Sequence, residues 1–212
     1  MPEKKPVRTR DAERTQSLIL QAAKHEFATH GLGGARLDRI AEQASVDKRL
    51  IYYYFKSKTE LFRIVLEQAY QDIRTAERQL DLLKLEPIDA IKRLISFTWQ
   101  YYLDNPEFLR LINSANLFKA EHLTDSERIP DSTRYLIETL QEVLEKGRRQ
   151  GLFHGGIDAA QLYMSISGAT FAYLSNHHTL SLVFNRDLMS PKALEARLSH
   201  VNDLILGYLL VG

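Results

Sequence analysis

The chain has 212 residues, 44% of them hydrophobic, with 28 Lys or Arg against 27 Asp or Glu and no cysteine. Disulfides, thiolate catalysis and cysteine-bound metals are excluded, and the length fits one large domain or a small domain joined to a larger one. No apolar run nears the roughly 20 residues of a membrane span, and the opening MPEKKPVRTR has no signal-peptide apolar stretch, so a cytoplasmic protein without membrane contact is expected. Charge is uneven: the first 60 residues carry twelve cations and eight anions, the rest sixteen and nineteen. A basic end on a near-neutral body suits contact with a polyanion.

Helical periodicity runs throughout and no alternating strand pattern appears, so the expected fold is all-α with about nine helices. Residues 1–10 read as a flexible basic arm. A first helix is expected over 11–30, with Ile19, Ala22, Ala23 and Phe27 on one face and Gly31 as its stop. Short helices follow over 37–44 and 48–55. Ser57 and Glu60 have capping-box spacing and open a long helix to about 83. Pro87 and Pro106 each suit a first helical turn, predicting helices over 87–103 and 106–121. LTDSERIPDS reads as a loop, and helices are expected over 132–150, 158–178 and 191–210.

Residues 37–55 have the spacing of a helix-turn-helix, in which two short helices cross steeply over a tight turn. Ala41 is small enough for the crossing, Val46 plugs the turn, and Leu50, Ile51 and Tyr54 return at helical spacing. Asp47 stands where an N-cap belongs, while Ser45 stands where a left-handed turn favours glycine, at a cost of about 1 kcal/mol. Tyr52, Tyr53 and Tyr54 point roughly 100° apart, so at least one faces outward beside Lys48 and Arg49. Tyrosine hydroxyls donate to phosphates and their rings pack on sugars or thymine methyls. Lys56 and Lys58 sit at a helix start, which already favours an anion.

The stretch RLDRIAEQASVDKRLIYYYFKSKTEL resembles the TetR family of bacterial transcriptional repressors, whose pattern it meets at Ile40, Ala41, Ala44, Val46, Tyr52, Phe55, Lys58 and Leu61. It departs at Ser45, where the family has glycine, and at Arg36, where a capping Thr or Ser is common. The resemblance covers residues 12–62. It implies a DNA-binding domain over 11–58 and a ligand-binding and dimerisation domain over 59–212. It also implies that the helix over 48–54 is the recognition helix, with Lys48, Arg49 and Leu50 nearest base edges. Lys58 and Tyr53 would hold phosphates, and Arg36 and Arg39 would flank the groove. The stretch from LEKGRRQGLF to LSNHH looks like the C-terminal domains of catabolic-pathway repressors, those of nicotinate degradation among them.

Beyond residue 62 the residues themselves point to self-association and a pocket. Ser165, Gly168, Ala172 and Ser175 form a small-residue stripe. Leu198, Val201, Ile205 and Tyr208 form part of an apolar stripe wide enough for partners on two sides. A dimer interface is therefore expected at Ser165, Gly168, Ala172, Leu198, Val201, Ile205 and Tyr208. Polar or aromatic residues on apolar helices, namely Trp99, Tyr102, Asn113, Asn116, Tyr135 and His177, are expected to line a ligand pocket. Catalysis fits poorly. No His-Glu-x-x-His or phosphate loop is present, and the adjacent His177 and His178 diverge on a helix. No cofactor or metal is expected. The expected function is a homodimeric, ligand-responsive repressor of a near-palindromic DNA operator. A helical adaptor that binds protein, or an all-α enzyme, are the other readings.

Overall fold

The computed structural model describes residues 7–124, 126 and 128–211, without the side chains of residues 7–10 and 122. Among these are ten α-helices and no strand. The expected arm falls outside the described residues at 1–6. Val7–Arg10 instead belong to the first helix, α1 (Val7–Gly34), whose path breaks at Gly31, where φ is +63°. The next helices are α2 (Leu37–Ala44), α3 (Lys48–Phe55) and α4 (Lys58–Arg78). Ser57 Oγ accepts the Glu60 N–H at 3.0 Å, as a cap should. The long helix then stops at Arg78, more than a turn earlier than its apolar spacing predicts, and a left-handed Asp81 leads into a 3-10 turn, Leu82–Lys84.

Two prolines set the starts of α5 (Pro87–Asp104) and α6 (Pro106–Leu117), as their fixed φ favours. α7 (Arg128–Arg149) begins inside the expected loop, with Pro130 in its first turn. The helix expected over 158–178 is two: α8 (Ala159–Ser175), capped by Asp158, and α9 (His177–Phe184), split at Asn176. α10 (Pro191–Leu209) is next, and an isolated antiparallel bridge joins Phe153 to Leu210.

Packing divides the described residues into two compact units. The first takes those of 1–69 and 107–126, the second those of 70–106 and 127–212, so α6 packs with the N-terminal helices and not with its sequence neighbours. In the first unit Ile19, Ala23 and Phe27 of α1 meet a core that includes Ile40, Ile51 and Phe62, and the Phe27 and Phe62 rings pack edge-on at 5.0 Å. Truncating such a ring costs about 3–5 kcal/mol. Ser114 of α6 accepts the Leu32 N–H at 3.1 Å, and Glu107 meets His25 at 2.9 Å.

The second unit is built round Ile91, Leu94 and Ile95 of α5, Leu140 and Val143 of α7, Leu162 and Ile166 of α8, and Val201, Ile205 and Leu209 of α10. Gly147 is required by a close approach: a Cβ there would stand 2.1 Å from the Phe153 ring. Hydrogen bonds from His154 N–H to the Leu209 carbonyl and from Val211 N–H to the Leu152 carbonyl fix the segment after α10 against the α7–α8 connection.

Candidate functional site

The turn between α2 and α3 has the chemistry its residues predict. Ser45 is left-handed, with φ +54° and ψ +44°, and the Val46 N–H reaches back to the Ala41 carbonyl at 3.0 Å. Asp47 caps α3 by accepting the Arg49 N–H at 2.8 Å. Ile51 and Phe55 enter the core. The three tyrosines divide as their angles require: Tyr53 is 78% exposed, Tyr52 is about half exposed, and Tyr54 is half-buried with its ring 5.0 Å from that of Tyr53. Leu50 is half-buried beside them. Lys56 closes α3 with φ +59°, and the Ser57 N–H bonds the Phe55 carbonyl across it at 2.6 Å. This is a γ-turn of the rare, strained hand.

The cations of this surface fall into two groups. Some are spent inside the unit. Lys48 pairs with Asp38 at 2.8 Å, tying α3 to α2, and this hydrogen bond raises its pKa. Arg39 donates to Glu26 and to the Gly34 carbonyl, and Lys58 donates to the Ala35 carbonyl at 3.1 Å. Lys58, expected to grip phosphate, thus has its ammonium turned onto the α1–α2 connection. Arg36, Arg49 and Lys56 are exposed. Arg49 makes a loose 3.5 Å approach to Asp47, and its side chain is 92% exposed.

Glu26 organises the group. It is buried in α1 and accepts the Arg36 N–H and Arg39 Nε, each at 2.8 Å. Burial alone would raise its carboxyl, but the Arg39 and Arg36 hydrogen bonds and nearby charge together hold it below its ordinary value. Sequence reasoning missed this residue because its partners lie 10 and 13 positions away, outside any helical spacing.

The second unit holds a cleft of about 180 Å³ between the end of α4, the 3-10 turn and α7, with Arg74, Glu77, Arg78, Leu82, Tyr135 and Leu136 among its lining. Arg74 and Glu77 are only 5% and 3% exposed. Arg74 Nη1 donates to Glu77 at 2.5 Å and Nη2 to the Tyr163 hydroxyl at 2.9 Å, and that hydroxyl donates to Glu77 at 3.2 Å. Burial pushes the Glu77 carboxyl up, which Arg74 only partly offsets. Sequence reading missed all three, since nothing local marks Arg74 and Glu77 as inward-facing.

The residues expected to share one pocket have several settings. Tyr135 lines the cleft, with the Arg78 guanidinium 5.0 Å from its ring centre. Trp99 and Tyr102 are buried in the second unit, packed on Tyr173 and Phe171, and neither lines the cleft. His177 lies by a separate open hollow with His178, its Nδ1 bonded to the Leu174 carbonyl at 2.7 Å. Asn113 and Asn116 are exposed on α6, in the first unit.

Two family patterns match the chain. Residues 19–65 match "Bacterial regulatory proteins, tetR family", and residues 87–205 match "Tetracyclin repressor-like, C-terminal domain". The transcriptional repressor NicS of Pseudomonas putida is 35% identical over 200 residues, 94% of either chain. The chain belongs to the TetR family. A second relative, the transcriptional repressor SCO4008 of Streptomyces coelicolor, is 43% identical over 105 residues, about half of each chain. The crystal structure of the transcriptional regulator SCO4942 from the same organism has a TM-score of 0.67 at 25% identity, covering 92% of this chain and 98% of its own. The tetR-family match over residues 19–65 takes in both α2 and α3.

The stripes expected at a TetR-type interface separate on the structure. Val201 and Ile205 lie in the chain's own core, so they are corrected to core residues, and Leu198 packs against that core. The apolar period on α10 marked the inward face. Ser165, Gly168, Ala172 and Tyr208 face outward. They share that surface character with Met164, Leu204 and the apolar run of α9, where Leu182 is 83% and Phe184 62% exposed. No helix among the described residues is long and apolar enough to cross a membrane.

Proposed function

We propose that the chain is a homodimeric repressor that binds a near-palindromic operator and releases it when a small-molecule effector binds the second unit. The observation that carries the reading is the outward face of α3. A capped, well-packed helix exposes Tyr53, Tyr52 and Arg49 together, with Arg36 and Lys56 at its flanks, while the neighbouring cations are committed to holding the helix in place. Arg36, Lys56 and Tyr53 suit phosphate contact, and Arg49, Leu50 and the faces of Tyr52 and Tyr54 suit base edges. Arg39, Lys48 and Lys58 act as positioning residues. In this division of labour residues 11–58 read DNA and residues within 59–212 bind effector and partner.

Self-association is supported by the exposed apolar side chains of α8, α9 and α10, a surface that a soluble monomer rarely presents. A dimer sets its two recognition helices about 34–36 Å apart, one turn of DNA, so an effector that favours a different spacing lowers affinity. The two named repressors among the relatives support repression as the sign of control. Nothing in the site calls for turnover, and the reading is of a regulator and not an enzyme, acting where chromosomal DNA lies, in the bacterial cytoplasm.

The test is selection of duplexes from random and genomic DNA by the purified full chain, followed by footprinting. A protected site with two inverted half-sites is the expected result. Binding that ranks all duplexes equally sinks the reading. Sedimentation at micromolar concentration checks the dimer.

A further inference from the structure

A face that meets a polyanion gains from cations, and a carboxylate on it repels the phosphates around it. Two carboxylates nevertheless stand beside the start of α3. Asp47 is spent on the helix itself, since its Oδ1 accepts the Arg49 N–H at 2.8 Å. Asp38 is not. It lies in the first turn of α2, off the face on which Leu37, Ile40, Ala41 and Ala44 are buried, and its side chain is 74% exposed. Its Oδ1 meets the Lys48 ammonium at 2.8 Å, and Lys48 is the first residue of α3. Among the described residues that is its one side-chain partner, so Oδ2 keeps its lone pairs for a donor outside the chain.

The place of Asp38 selects that donor. In a helix-turn-helix the N-terminal residues of the second helix meet base edges in the major groove. The ion pair with Lys48 sets Asp38 beside that end of α3. Phosphate oxygens, guanine O6 and N7 and thymine O4 are all acceptors there and offer a carboxylate nothing. The donors are the exocyclic amino groups, N4 of cytosine and N6 of adenine. Adenine presents the N7 acceptor next to its amino group, and N7 repels the second carboxylate oxygen. Cytosine has no such neighbour. Lys48 offsets the negative charge at close range and holds the carboxylate in one place.

We propose that Asp38 is a specificity-determining residue that accepts a hydrogen bond from a cytosine N4 amino group in each half-site of the operator. Lys48 is the positioning residue that fixes its carboxylate. The assignment rests on the DNA-binding reading above and names one base that the chain selects.

The experiment repeats the duplex selection with the full chain, wild type beside Asp38→Ala, Asp38→Asn and Lys48→Met, and reads base preference position by position. The wild type is expected to select inverted half-sites, each with a cytosine preferred about fivefold or more at one position. Asp38→Ala is expected to flatten that position alone. It also frees the Lys48 ammonium, so non-specific duplexes are expected to bind more tightly and the log–log salt slope to steepen by about one unit. Asp38→Asn is expected to turn the preference at that position to adenine, whose N6 and N7 suit a carboxamide. Lys48→Met is expected to weaken the cytosine preference there and leave the other positions as they were. Asp38→Ala that keeps every wild-type preference overturns the proposal. So does Asp38→Ala that flattens all positions alike, the result expected if Asp38 only braces α2 against α3. If Asp38→Ala does not fold, Asp38→Asn, which keeps the side chain's shape, decides by the same change of base. A wild type that selects half-sites shared by its Asp38 variants sinks this assignment alone, whereas a wild type that ranks all duplexes equally sinks the regulator itself.

Discussion

The two units differ in what they leave exposed. In the first, buried Glu26, exposed Asp38 and the Ala35 carbonyl hold Arg39, Lys48 and Lys58 at the reading head. Arg36, Arg49 and Lys56 stay exposed beside them. The second unit buries both members of the Arg74–Glu77 pair and turns Leu182, Phe184, Leu204 and Tyr208 outward. A surface that meets phosphate must stay hydrated and charged, and one that meets its own copy gains by losing water. The contrast teaches that residue type alone does not mark function: a lysine on the reading head is a brace or a contact according to what already holds its ammonium.

The most disruptive way to break this contrast is to charge the apolar surface. Leu204→Asp with Tyr208→Asp is expected to weaken self-association about a thousandfold, since each central interface residue is worth about 2 kcal/mol or more. Sedimentation equilibrium measures it, and a variant that remains a tight dimer places the interface elsewhere. Next is Glu26→Ala, which strands Arg39 and the Arg36 N–H and is expected to cost about 3 kcal/mol in urea unfolding. Glu26 also gives this unit a pH signature. Its folded-state pKa lies below its unfolded value, so its contribution is complete above the unfolded value near 4.3 and is lost as pH falls through the lower folded one. Glu26→Gln should flatten the acid limb of stability against pH, and an unaltered limb would assign it to another carboxylate.

The difference between brace and contact can be sharpened on the lysines and arginines. Arg36→Ala or Lys56→Ala is expected to lower the log–log salt slope of duplex binding by about one unit. Lys58→Ala is expected to leave that slope unchanged and lower the unfolding midpoint. The reverse pattern would make Lys58 the phosphate ligand. The smallest effect is Ser45→Gly, expected to stabilise by about 1 kcal/mol because φ there is +54°. A higher urea midpoint at unchanged m-value checks it.

What was legible in the sequence was local. Asp47, Ser57 and Asp158 cap the helices they precede, because a cap acts over two or three residues. Pro87, Pro106 and Pro191 open helices, and Ser45 shows the conformation its place in the turn demands. What was illegible depended on distance or on sidedness. The α8–α9 break at Asn176 carries no glycine or proline, and α9 buries none of its residues, so no apolar period announced it. On α10 the period located a stripe but not which side meets the core, and Val201 and Ile205 proved internal while Leu204 and Tyr208 are external. Lys58, Glu26 and Arg74 each take partners far along the chain, and their roles follow from the fold alone.

The interleaving of the two units bears on the order in which a nascent chain can complete itself. The reading helices are synthesised early, but α6, which supplies Ser114 to Leu32 and Glu107 to His25, belongs to the same unit and emerges only after α5. The second unit waits longer still, because Leu209 fills its core and Val211 closes onto Leu152. Domains generally fold as units during synthesis. Here neither unit is closed by a contiguous early segment, so a ribosome stalled within α5 displays a helix-turn-helix whose supporting layer is missing. A chain halted there has made every residue of the reading helices but still lacks the Ser114 and Glu107 contacts that its first unit takes from α6.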